Sequence, residues 1–98
     1  MTTHGPDYSS IRSTFKALAH PYRRSMLEIA AIRPASLAEM CECLPVKSPT
    51  VSYHLNVMLE SGVLICPLKW GSTRLTYEPN GARLEQLHSY IDACLMPQ

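Results

Sequence analysis

Four side chains in one short stretch, Thr50, Ser52, Tyr53 and Asn56, hydrogen-bond without carrying a charge. On one helical face close to a helix start, groups of this kind suit the edges of DNA bases, and the helix end favours phosphate. An ordinary solvated helix would show Lys and Glu pairs there instead. A surface helix that happens to be rich in hydroxyls is the competing reading. Enzyme chemistry finds less support: the chain has no Ser, His and acid set, no phosphate-cradling glycine loop and no closed Cys/His cluster.

The helix that must carry the polar face runs from Ser48 to Gly62. Ser48 is expected to cap it, Pro49 suits the first helical position, which needs no amide donor, and Gly62 offers a left-handed stop. Val51, Leu55, Met58 and Leu59 fall at i, i+4, i+7 and i+8, a single apolar stripe on the opposite side.

The remaining elements follow in order. Residues 1–7 contain Gly5-Pro6 and no apolar side chain after Met1, which predicts a mobile tail before a domain over 8–98. A first helix begins near Tyr8 or Ser9, buries Ile11, Phe15, Leu18 and Ala19, and ends at His20-Pro21. Pro21 opens a second helix that turns Leu27, Ala30 and either Ala31 or Met26 to the core and stops before Pro34. Ser36-Leu37-Ala38-Glu39 matches a capping box and starts a short third helix, about Leu37 to Leu44, closed by Pro45. Two short helices joined by a tight turn, the second with the polar face, form a helix-turn-helix.

After Gly62 the apolar period becomes alternating. Leu64, Cys66 and Leu68, then Leu75 and Tyr77, predict a two-stranded hairpin broken at 69–73, with Pro67 marking an edge. A last helix runs from about Ala82 to Leu95. Its Leu84, Leu87, Ile91, Cys94 and Leu95 lie at roughly heptad spacing, and one small domain has little left for them to cover. With Ile11 and Phe15 they are the candidate dimerisation residues. The fold class is therefore mainly α with a small β-hairpin, about five helices and a two-stranded wing: a winged helix-turn-helix.

A chain of 98 residues makes one domain. Domains of that size bury only about 60–65% of their unfolded surface, so a second copy would add stability. The apolar fraction is 46% and the formal charge +1, so any affinity for nucleic acid comes from where the charges sit. Residues 1–35 hold five cations against two acids, and Lys47, Lys69 and Arg74 stand against Glu60 alone in residues 43–77. No apolar run approaches the roughly 18 residues of a membrane span, and no cationic and apolar leader is present. A cytoplasmic protein without membrane contact is expected, its four cysteines kept as thiols in a reducing compartment.

With these elements in place the wording resembles the ArsR family of small winged-helix transcription regulators. The resemblance covers about Phe15 to Ile91 and rests on FKALAHPYRRSML (15–27), SPTVSYHLNVMLESGVL (48–64) and the wing GSTRLTYEP (71–79). It implies a homodimeric repressor that binds a palindromic double-stranded DNA operator and releases it when an inducer binds. By that resemblance Ser48, Pro49, Thr50, Ser52, Tyr53 and Asn56 lie nearest the major groove, with Lys47 beside them. Arg23 falls at the family's arginine near the DNA backbone. His54 stands at its usual histidine, either packed within the domain or against phosphate. Lys69 and Arg74 bracket the wing turn, and Trp70 either packs on the hairpin or a partner, or touches sugar and backbone. Phosphate contacts by Arg23, Lys47, Lys69 and Arg74 from two protomers predict a salt slope of roughly −4 to −7.

Inducer chemistry is less legible. Cys41-Glu42-Cys43 looks like the family's Cys-x-Cys arsenic motif, yet it lies too near the following helix, and residues i and i+2 of a helix point apart. Burial of at least one thiol as a small apolar group is the favoured reading. Glu85, His88 and Asp92 form one polar stripe on the last helix, a metal candidate without the family's four-ligand spacing. Cys66 and Cys94 form a redox pair only if the fold brings their Cα atoms within about 7 Å. No cofactor is expected. The alternative function is a winged-helix protein-interaction module without specific DNA binding, which has the same fold.

Overall fold

The computed structural model describes residues 9–68 and 70–96. The expected tail over 1–7 lies outside them. Five helices, α1 (Ser9–Leu18), α2 (Pro21–Ile32), α3 (Leu37–Cys43), α4 (Ser48–Glu60) and α5 (Gly81–Leu95), accompany two short strands, β1 (Leu64–Ile65) and β2 (Glu78–Pro79).

Helix α1 departs from its expected stripe. Its buried residues are Ile11, Thr14 and Ala17, while Phe15 and Ala19 are exposed. Hydropathy alone passes over Thr14, whose hydroxyl is satisfied locally: Oγ1 donates to the Ser10 carbonyl at 2.7 Å, so the methyl side can be buried at little cost. His20 does more than end α1. Held extended before Pro21, it caps α2, its ring Nδ1 accepting from the Tyr22 amide at 3.1 Å. Met26 and Ala30 are the buried positions of α2, and Ala31 faces solvent.

The capping box of α3 is present in full. The Glu39 amide donates to Ser36 Oγ at 3.2 Å and the Ser36 amide donates to Glu39 Oε1 at 3.0 Å. Helix α4 differs at its start: Lys47 is the cap residue and no side chain caps the turn, so Ser48 is the first helical residue and Pro49 follows it. Its end is as the sequence predicts, with Gly62 left-handed at φ +78°. The core gathers between α2, α3, α4 and β1 around three fully buried methionines, Met26, Met40 and Met58, with Val51, Val63 and Leu64. Unbranched thioethers fill the irregular space where short helices cross.

The wing is shorter in ladder than its alternation suggests. Leu64 pairs with Pro79 and Ile65 with Glu78, antiparallel, and Cys66, Pro67, Leu68 and Leu75 stand outside the strands. A third segment joins instead: Ala35 and Tyr77 exchange both backbone bonds, at 3.1 and 2.8 Å. This bridge ties the α2–α3 connection to the base of the wing. No helix among the described residues is long and apolar enough to cross a membrane.

Candidate nucleic-acid interface

Helix α4 turns Val51, His54, Leu55 and Met58 inward. Ser48, Pro49, Thr50, Tyr53 and Asn56 are exposed on the other side, Lys47 is exposed just before them, and Ser52 is half-buried. One surface therefore holds five uncharged residues and one cation.

His54 needs correcting as a surface contact. It lies one turn from both Val51 and Met58, is 5% exposed and has its ring 4.3 Å from the His20 ring. Tyr22 and Tyr53 meet it edge-on at 6.0 and 5.3 Å. Burial, with His20 and Arg23 adding to it, pushes its pKa below the usual histidine value, so the ring is neutral. Arg23 is half-buried beside this cluster; its Nε and His54 Nδ1 are buried and find no hydrogen-bond partner among the described residues. Each such group carries a local cost of about 1–3 kcal/mol. Arg24, not singled out in the sequence, donates from Nη1 to the Leu18 carbonyl at 2.9 Å and closes the end of α1.

The expectation for Arg74 also changes. It is not a free cation at the wing tip: Nη2 donates to Glu39 Oε1 at 3.0 Å and to Ser36 Oγ at 3.2 Å. Glu39 is held below the usual carboxylate range, first by the Ser36 amide, then by the Ser36 hydroxyl, with Arg74 and Arg33 adding to it. Lys69 lies outside the described residues. Trp70 is 104% exposed, so it packs on nothing among the described residues, and Leu68 and Leu75 are exposed on either side of it.

The far end of α4 is gripped by α5. Asn80 caps α5 through Oδ1, which accepts from the Arg83 amide at 3.3 Å, while its Nδ2 donates to the Gly62 carbonyl at 2.8 Å. Arg83 donates from Nη1 to the Ser61 carbonyl. These bonds satisfy carbonyls that a helix end leaves open. Residue order alone gives no sign of Arg83 in this role; Asn80 just before a helical run was the available cue.

Helix α5 has no buried residue. Of the candidate dimerisation residues, Ile11 is already covered within the chain, and Leu84 and Leu87 are half-buried, Leu84 against the core. Phe15, Ile91, Cys94 and Leu95 remain open, and Met96 continues them. The Phe15 ring meets Tyr90 edge-on at 5.9 Å, which joins α1 and α5 into one surface.

The four cysteines are free thiols, Cys41 and Cys66 half-buried, Cys43 and Cys94 exposed. Glu85, His88 and Asp92 lie exposed along α5, and among the described residues no three His, Cys, Asp or Glu come together to hold a metal ion. An open cleft of about 310 Å³ lies between the end of α2 and α3, with Ile29, Ile32 and Cys43 in its lining.

A sequence model of helix-turn-helix domains matches residues 18–66. The chain is 35% identical over 85 residues to the HTH-type transcriptional regulator Rv2034 of Mycobacterium tuberculosis, covering 87% of this chain and 78% of that protein. An ArsR-like transcriptional regulator from Rhodococcus sp. RHA1 superposes with a TM-score of 0.76 at 22% identity, over 89% of this chain and 78% of that one. The homodimeric winged helix-turn-helix DNA-binding domain Mb0332 from Mycobacterium bovis superposes with a TM-score of 0.69 at 17% identity, over 96% and 89% of the two chains. Both superpositions agree with the fold described above.

Proposed function

We propose, from the premise that the chain belongs to the ArsR family of winged helix-turn-helix transcriptional regulators, that it is a homodimeric repressor of a palindromic operator. Helix α4 enters the major groove and the wing follows the flanking backbone. The observation that carries this reading is the two-sidedness of α4: Thr50, Tyr53 and Asn56 outward and uncharged, Val51, Leu55 and Met58 locked in the core. A fixed inner face holds the outer one still enough for groups that donate and accept to discriminate bases.

The open row Phe15, Ile91, Cys94 and Leu95 supports a second copy across α1 and α5. A two-fold pair of α4 helices reads half-sites one helical turn apart, about 34 Å. Lys47, Arg23, Lys69 and Arg74 supply phosphate contacts, Pro49 and Ser48 bring the helix start close to the backbone, and Ser52 supports the face from its edge. A DNA ligand places the protein's work in the cytoplasm. Repression follows from competition with polymerase for the same stretch of duplex. Release by an inducer belongs to the same reading, and its chemistry is open to test with metal ions and thiol oxidants.

Selection of duplexes from a random pool, followed by salt titration of the winner and a scrambled control, tests this. A palindrome bound far more tightly than the control, with a slope of roughly −4 to −7, is the expected result. No enriched sequence and a shallow slope would overturn it. The exposed Leu68, Trp70 and Leu75 favour a protein-interaction module as the second reading. Replacing Tyr53 and Asn56 together separates the two: operator binding collapses with folding intact on the first reading, and partner capture survives on the second.

A further inference from the structure

Beyond Leu64–Ile65 and Glu78–Pro79 the arms of the wing form no further ladder among the described residues, so their backbone alone does not fix where the tip stands. What ties the outer part down is a side chain. Arg74 Nη2 bonds both Ser36 Oγ and Glu39 Oε1, a reach from the wing to the first turn of α3. The acceptor is itself immobilised: Glu39 Oε1 also takes the Ser36 amide, and Arg33 from the end of α2 stands 3.7 Å from Oε2. The Arg74 side chain remains 65% exposed, so it is tied by one nitrogen while most of its surface stays in solvent.

We infer that Ser36 and Glu39 are positioning residues for DNA binding, the capping box of α3 serving also as the clasp that places the wing and its Arg74 relative to α3 and α4. This rests on the reading of α4 and the wing as the DNA-contacting elements. The physical content is preorganisation: an arginine already ordered loses less freedom when it meets a phosphate. The opposite role, a carboxylate that competes with DNA for the arginine, predicts the opposite sign. Removing a negative charge near the duplex tightens binding by charge alone, so weaker binding on removal is diagnostic of positioning.

The test compares the wild-type chain with Glu39→Gln, Arg74→Ala and the double variant, by amide nitrogen-15 relaxation without DNA and by operator titration over a range of salt. Glu39→Gln keeps an oxygen for the Ser36 amide, so α3 keeps its cap while the charge is gone. Backbone order parameters over residues 70–75 are expected to fall toward the flexible range, below about 0.6. Operator affinity falls about threefold to fivefold with the salt slope unchanged. Arg74→Ala loses affinity and also about one unit of slope, and the double variant matches it. Unchanged order parameters, or tighter operator binding by Glu39→Gln, would overturn the inference. Should the wild-type chain select no duplex, the operator reading falls, and the order parameters alone decide the clasp.

Discussion

His54 lies within α4 yet faces the His20 ring, with Tyr22, Tyr53 and Arg23 around it. The neutral imidazole is favoured there, because burial first, then His20 and Arg23, oppose the charge. The unfolded chain protonates His54 at about pH 6.5 and the folded chain only at lower pH. Acid therefore favours unfolding: this contribution to stability is whole above about pH 6.5 and is lost as pH falls toward the depressed folded value. His54→Gln, which cannot titrate, is expected to flatten the melting temperature between pH 7 and 5 relative to wild type, measured by circular dichroism. Parallel profiles for the two proteins would refute the assignment. In sequence His54 read either way, because Val51, Leu55 and Met58 mark the buried side of α4 but not how far that side wraps round.

At the scale of elements, punctuation was the legible part. Prolines at 21 and 49, the Ser36–Glu39 box and Gly62 each act within a few residues of themselves, and the helices begin and end close to them, α4 one residue earlier than Pro49 suggests. Contacts between distant segments left no such mark. The Ala35–Tyr77 bridge, the Arg74 clasp and the Arg83 grip on α4 arise from packing, which has no period to read. Gly62 joins the two kinds. Its φ of +78° asks for glycine, and a Cβ there would stand 2.9 Å from the Arg83 guanidinium. Gly62→Ala therefore strains the backbone and displaces the arginine that closes α4. A loss of about 1–3 kcal/mol in urea unfolding is expected, and Arg83→Ala should recover part of it by removing the clash. Simple additivity of the two changes would separate Arg83 from the end of α4.

Across the whole molecule, α2, α3, α4 and β1 hold most of the buried core while α5 contributes no buried residue. Of the five residues expected at heptad spacing, Leu84 and Leu87 proved half-buried within the chain, since spacing says that a residue is apolar but not which neighbour reaches it first. What remains open, Phe15, Ile91, Cys94 and Leu95, predicts a stability that rises with protein concentration. Ile91→Glu with Leu95→Glu should give a monomer in sedimentation equilibrium and a melting temperature independent of concentration. A variant that stays dimeric would place the contact elsewhere. Trp70 is the chain's one tryptophan, and its indole is wholly in water. Its emission is therefore expected to be that of a solvated indole in the folded and unfolded chain alike, and to pass over the melting of the core. The same indole is expected to respond to something arriving at the wing, which makes the wild-type protein its own label for whatever binds there.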